Sequence, residues 1–217
     1  MLFIAAFLFV SAGLSSAGVR PYAGAMGGIA TLSADGGSEG VGRGLNLSSY
    51  APSNGGVLDF VVGADLHNYF SLEGDFVWNR NSLRLNSTSS STGSFYQQNR
   101  SSSQEAAVIS FLLYFRPRNS RIRPYLGVGS GVAHLSSTAV RLVAFGGTPS
   151  LPPREFSSTG AVLRTHVGID VALNRKLDFR YSFSETLGKN EISTNLSPPG
   201  TRRLANFQNL FGFVLRF

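Results

Sequence analysis

The sequence predicts an all-β protein, an eight-stranded antiparallel transmembrane β-barrel with up-and-down meander topology. Three observations predict it. Apolar and polar residues alternate with period two in segment after segment, the signature of strands with two unlike faces. The links between segments alternate strictly between short and long. The charges of the alternating segments gather on one face, opposite the Phe, Leu and Val residues.

The segments follow in order. The first, Tyr22 to Leu32, is rich in Gly and Ala, and its facing is ambiguous. In the second, Leu58, Phe60, Val62, Ala64 and Leu66 alternate with Asp59, Val61, Gly63 and Asp65. In the third, Phe70, Leu72, Gly74, Phe76 and Trp78 alternate with Ser71, Glu73, Asp75, Val77 and Asn79. One face of the fourth is Ala107, Ile109, Phe111, Leu113 and Phe115. In the fifth, Leu126, Val128 and Val132 oppose Tyr125, Gly127, Gly129 and Gly131. In the sixth, Leu163, Thr165, Val167, Ile169 and Val171 alternate with Arg164, His166, Gly168 and Asp170. In the seventh, Leu177, Phe179, Tyr181 and Phe183 alternate with Asp178, Arg180, Ser182 and Ser184. The eighth ends the chain, with Phe211, Phe213, Leu215 and Phe217 opposite Leu210, Gly212, Val214 and Arg216. Each is about ten residues, the length a tilted strand needs to cross a bilayer.

Three links are short: His67-Asn68-Tyr69, Pro117-Arg118-Asn119-Ser120-Arg121 and Leu173-Asn174-Arg175-Lys176. Four are long and polar: 33–56, 81–104, 136–160 and 188–203. Long loops at one end and short turns at the other are the pattern of an outer-membrane barrel, with four external loops and three periplasmic turns. The Ser-, Asn- and Thr-rich stretch 82–103 is expected to be mobile.

Energetics sets which face meets lipid. A charge facing mid-bilayer costs roughly 2–4 kcal/mol. Asp59, Asp65, Glu73, Asp75, Arg164, Asp170, Asp178, Arg180 and Arg216 are therefore expected to point into the bore, with His166 beside them. A water-soluble calyx would invert that arrangement. Aromatics near strand ends, namely Tyr22, Tyr69, Phe70, Trp78, Tyr114, Phe115, Tyr125, Phe183 and Phe217, read as interfacial girdles.

Composition fits. The 217 residues include 25 Gly and 17 Phe but only 14% charged residues, where a soluble domain carries about 25%. The absence of Cys excludes a disulfide framework and thiolate metal sites. Residues 2–10 are an apolar run, and Ser15-Ser16-Ala17 is a small-residue cleavage pattern. Together they read as a signal peptide at 1–17, followed by the barrel domain at 18–217. No Lys or Arg precedes the run, so either translation starts upstream or the terminal amine supplies the charge. No later stretch is long and apolar enough for a spanning helix.

Three further features resemble the bacterial outer-membrane β-barrel family related to the OmpA transmembrane domain. They are Arg123-Pro124-Tyr125-Leu126-Gly127-Val128-Gly129-Ser130-Gly131, the hairpin from Gly168-Ile169-Asp170-Val171 to Arg180-Tyr181, and the ending Phe211-Gly212-Phe213-Val214-Leu215-Arg216-Phe217. The resemblance implies the outer membrane as location. It also implies that Phe213, Leu215 and Phe217 form an assembly signal read by the barrel assembly machinery. Lipid and lipopolysaccharide are then the expected surroundings. The resemblance leaves ligand and oligomeric state open.

For chemistry, the bore of eight strands is just wide enough to be filled by side chains. The expected role of the charged set is a structural plug, with a gated narrow ion path as the alternative. His134 and Ser136 have the spacing of lipid A deacylase barrels, whose His and Ser act with a Glu. The following Asn is replaced by Ser137, and Glu155 falls in a loop. No phosphate-binding Gly loop and no metal-ligand spacing is present, so no cofactor and no metal is expected. The net charge of +7 is spread over both ends, and with export nucleic acid is not an expected partner. Arg43, Arg84, Arg100, Arg141, Arg154, Lys189, Arg202 and Arg203 are expected in external loops, where Arg suits lipopolysaccharide phosphates. Arg116, Arg118, Arg121 and Arg123 flank one periplasmic turn as interfacial anchors. The expected function is non-enzymatic, in envelope integrity or surface contact. A small channel and a lipid A-modifying enzyme are the alternatives.

Overall fold

The computed structural model describes residues 18–33, 36–39, 46–89, 95–146, 154–189 and 203–217. The expected signal peptide at 1–17 and the loop prolines at 149–153 lie outside these residues. Eight strands form the wall: β1 (Arg20–Ser33), β4 (Gly55–Asp65), β5 (Phe70–Ser89), β6 (Phe95–Tyr114), β7 (Ile122–Phe145), β8 (Glu155–Ala172), β9 (Leu177–Lys189) and β10 (Arg203–Arg216). Two short strands, β2 (Gly36–Glu39) and β3 (Asn46–Pro52), make a flap on the loop end of β5.

Each wall strand pairs antiparallel with its neighbours, and the β5–β6 and β1–β10 ladders complete a ring. From Arg80, partners followed once round the ring are Gly56, Ile29, Asn209, Phe183, Val167, Leu126 and Leu113. Leu113 pairs with Phe70, so the path returns to β5 ten residues from its start. Strand number and stagger together fix tilt and bore width, and at eight strands the bore holds side chains and little else.

The expected facing is found. Phe60 and Phe213 are about half exposed on the outside, while Asp59 and Arg180 are fully buried within. The ambiguous first segment resolves with Tyr22, Met26, Ala30 and Leu32 inward and Ile29 outward. Turn chemistry holds the short links. The Asn174 side chain accepts from the backbone N–H of Lys176 (2.9 Å) and Leu177 (3.0 Å), and Ser120 N–H donates to Pro117 at 2.9 Å.

Two of the expected long loops are strand instead. Residues 81–89 and 95–104 continue β5 and β6, and 136–145 and 155–160 continue β7 and β8. The wall strands therefore run 11 to 24 residues. The described part of the polar stretch is strand because its alternation continues past Asn81. Leu83 and Leu85 are buried inward while Ser82 and Arg84 point out. A Ser-rich segment satisfies its backbone in a ladder as well as in water. The link 33–56 contains the flap, and most of 188–203 lies outside the described residues.

Candidate functional site

Among the described residues many ionisable groups converge in the bore, and they arrive there by strand parity alone. Its charge lies toward the turn end. There Arg216 of β10 reaches Asp178 of β9 (2.5 Å), Asp65 of β4 (2.6 Å) and Asp170 of β8 (3.0 Å). Asp65 also accepts from Ser71 at 2.6 Å and lies 3.7 Å from both Arg118 and Arg123. Arg118 closes this end from the turn. It donates to the carbonyls of Gly18 (2.8 Å), Asp65 (3.0 Å) and His67 (3.3 Å). Burial lowers its pKa from the ordinary arginine value while Asp65 opposes the shift, and the guanidinium stays charged.

Arg180 of β9 forms the next layer. Its fork meets Asp170 at 2.7 and 3.0 Å, the bidentate geometry that makes such pairs strong. It also donates to Glu73 of β5 (2.5 Å) and to the Tyr114 hydroxyl of β6 (3.0 Å). Tyr114 in turn donates to Asp170 at 3.0 Å. Above it, Arg164 of β8 donates to Asp59 (2.7 Å) and Ser184 (3.2 Å), with Asp75 at 3.5 Å. Ser110 donates to the other oxygen of Asp75 at 2.8 Å. Toward the loop end the charges give way to amides: Asn206 donates to Asn79 (3.0 Å) and Gln104 (2.7 Å). Above the amides, Leu32, Leu83, Leu85, Leu135 and Leu204 form an apolar ring with Phe156 packed on it.

Large rings fit this bore because glycines face them. Tyr22, Tyr125 and His166 lie directly across the ladder from Gly63, Gly168 and Gly127. A Cβ on any of the three glycines would overlap the ring opposite. An aromatic laid over a cross-strand glycine restores the packing the glycine lacks.

Every acidic, basic and histidine residue expected in the bore is found there, among them His166, which is buried against Tyr125. Three expectations need correction. Tyr22, Tyr114 and Tyr125 are not girdle residues; each is at most 2% exposed, inside the bore, among the guanidinium groups of Arg123, Arg180 and Arg216. Their place near strand ends suggested an interface, but parity decides: Tyr114 shares its face with Ser110 and Leu112, not with Phe115. Tyr69, Phe70, Trp78, Phe115 and Phe217 do face outward. Arg123 is not an interfacial anchor; its guanidinium lies 3.8 Å over the Tyr114 ring. Arg100 is not a loop residue. It is buried, donating to Ser137 (3.0 Å) and Gln98 (2.5 Å) inside the extended wall. Arg43 and Arg202 lie outside the described residues.

Glu73, Asp75 and His166 bring potential metal-ligating atoms within 4.8 Å of one another. Both carboxylates already lie against guanidinium groups, Glu73 with Arg180 and Asp75 with Arg164. A divalent cation there would have to compete with fixed positive charge at close range. On the outer surface, the imidazole of His134 meets the Thr159 hydroxyl at 2.8 Å rather than Ser136. The register sets Glu105 directly across from His134, a neighbour that sequence spacing alone could not locate.

Comparisons with known proteins follow the same lines. The family described as outer membrane protein beta-barrel domain matches residues 2–217. No curated protein matches the sequence. Neisserial surface protein A is similar in structure, with TM-score 0.53 and 13% identity over 92% of this chain and 99% of that one. OprG of Pseudomonas aeruginosa gives 0.47 and 13% over 93% and 96%. Ail of Yersinia pestis, in complex with a heparin analogue, gives 0.48 and 12% over 91% and 99%.

Proposed function

The chain belongs to the outer membrane protein beta-barrel family and resides in the cell outer membrane, and from that premise we propose that it is a non-enzymatic structural barrel with a closed bore. The observation that carries this reading is the set of fully buried side chains Arg164, Arg180, Tyr114 and Tyr125, which cross the bore in stacked layers. An ion threading it would have to break ion pairs in low dielectric, where each is hard to replace. In this reading Asp59, Asp65, Glu73, Asp75, Arg164, His166, Asp170, Asp178, Arg180 and Arg216 are the plug. Reconstitution into planar bilayers tests it: a silent membrane is expected, and reproducible single-channel steps would overturn the plug.

The outward surface is suited to lipid and lipopolysaccharide. Arg84, Arg141 and Arg154 stand exposed toward the loop end, where a planar guanidinium can take a phosphate bidentately. The signal peptide at 1–17 would export the chain. The edge bearing Phe213, Leu215 and Phe217 would be read by the assembly machinery through strand addition. For an ester-cleaving role His134 Nδ1 would need an acidic partner, and it meets the Thr159 hydroxyl instead. Mass spectrometry of lipid A from cells with the native protein and with Ser136→Ala should show identical acyl chains.

A further inference from the structure

The turn end of the barrel carries more positive charge than its carboxylates take up. Asp65 and Asp178, the acids nearest the turns, are buried, and Arg216 bonds both. Arg118 and Arg123 also lean inward toward Asp65. Four cations stand outside this arrangement. Arg116 and Arg121 lie on the two limbs of the turn between β6 and β7, and Arg175 and Lys176 in the turn between β8 and β9. All four are exposed, and among the described residues none has a side-chain hydrogen bond or an ion pair. The turn segments 66–69, 115–121 and 173–176 contain no Asp or Glu. Backbone bonds bring the two cationic turns together: Ala172 N–H donates to the Arg121 carbonyl at 2.8 Å. Their depth follows from their neighbours. Phe115 precedes Arg116, Ile122 follows Arg121, and Leu173 lies two residues before Arg175, each about half exposed on the lipid face. The cations therefore stand just beyond the last lipid-facing side chains, at the level of headgroup phosphates.

We propose that this foot of the barrel is a headgroup site selective for anionic phospholipid in the periplasmic leaflet. The lipid phosphate lies between Arg121 and the Arg175–Lys176 turn, and Arg116 adds to the field. A planar guanidinium can take a phosphate bidentately, and the lysine ammonium serves as a point charge. The choice among lipids is set by net charge. A zwitterionic headgroup brings its own ammonium up to the four cations, whereas an anionic one brings none. Interfacial anchoring alone needs a cation at the right depth but no preference among headgroups. The preference comes from the clustering of four cations with no exposed carboxylate in the turns to offset them. Because these side chains are solvated, their attraction is screened by salt, with a Debye length of about 8 Å at physiological ionic strength.

The test is NMR of the folded, nitrogen-labelled barrel in phosphatidylcholine nanodiscs, with phosphatidylglycerol replacing that lipid stepwise at constant total lipid. Saturating amide shifts are expected at Arg121, Ile122, Leu173, Arg175 and Lys176. Phosphatidylethanolamine introduced in the same way should leave these amides in place, and equal shifts with both lipids overturn the selectivity. Free glycerol phosphate added to pure phosphatidylcholine discs should also give no shift. A matching shift there assigns the site to a soluble phosphate and overturns the lipid. Replacing all four cations, by Arg116→Gln, Arg121→Gln, Arg175→Gln and Lys176→Gln, should abolish the response at Ile122 and Leu173; an unchanged titration overturns the site. Should that variant not fold, the native barrel still decides. Salt of about 1 M, where the Debye length is about 3 Å, should move its phosphatidylglycerol midpoint to a mole fraction at least about threefold higher. A midpoint indifferent to salt overturns the proposal.

Discussion

Arg180 is the residue on which most of the plug converges. It is fully buried and holds Asp170, Glu73 and Tyr114 together. Removing one partner of a buried ion pair leaves an uncompensated charge, at a cost of about 3–5 kcal/mol. Arg180→Ala should lower unfolding stability by that order in urea titration of the refolded barrel. Tyr114→Phe should cost far less, about 0.5–1.5 kcal/mol, because Asp170 keeps both bonds from Arg180. The glycine opposite His166 gives a sharper test. Gly127→Ala should destabilise because the new methyl overlaps the imidazole. Adding His166→Ala should recover part of that loss, and the double-mutant cycle reads the coupling directly. Sequence reasoning put His166 in the bore but gave no sign that Gly127 makes room for it. Side-chain period alone carries no register between strands.

Among the elements, the eight wall strands were legible because one apolar and one polar face repeat wherever lipid meets the wall. Their upper limits were not. Beyond the apolar belt the outward faces of β5 and β6 turn hydrophilic, and Ser, Asn and Thr suit loops and strands alike. The signal passed over was parity, since Leu83 and Leu85 keep the inward rhythm of Val77, Asn79 and Asn81. The prediction at this scale concerns the β5–β6 hairpin. Ladder-bonded amides at Leu83, Leu85, Gln98 and Arg100 should exchange slowly with deuterium, unlike those of a mobile loop. Rapid exchange across 82–103 would restore the loop reading. The same parity argument moves Tyr22, Tyr114 and Tyr125 from the girdle to the bore, because nearness to a strand end says nothing about face.

The molecule as a whole is a cylinder with its charge at the turn end, amides above, and a greasy ring toward the loops. Among the described residues the eight strands close into a ring of ladders, which leaves detergent no free edge to attack where they pair. The unheated protein should therefore migrate at a different apparent mass from the boiled protein in SDS gels, and equal mobility would count against closure. The sequence revealed that the bore is charged, but not which charges meet, because partners lie far apart along the chain. The bonds Arg164–Asp59, Arg180–Glu73 and Arg216–Asp65 join residues 105, 107 and 151 positions apart. Such long-range pairs cannot form until distant strands are already side by side, and contacts of that kind make folding slow. The reverse holds for departure. None of β4, β5, β8, β9 and β10 can peel away without stranding counter-ions in a medium that will not solvate them. Once assembled, the barrel is therefore held by the clock as much as by equilibrium: it should come apart in one event, late and entire, or not at all.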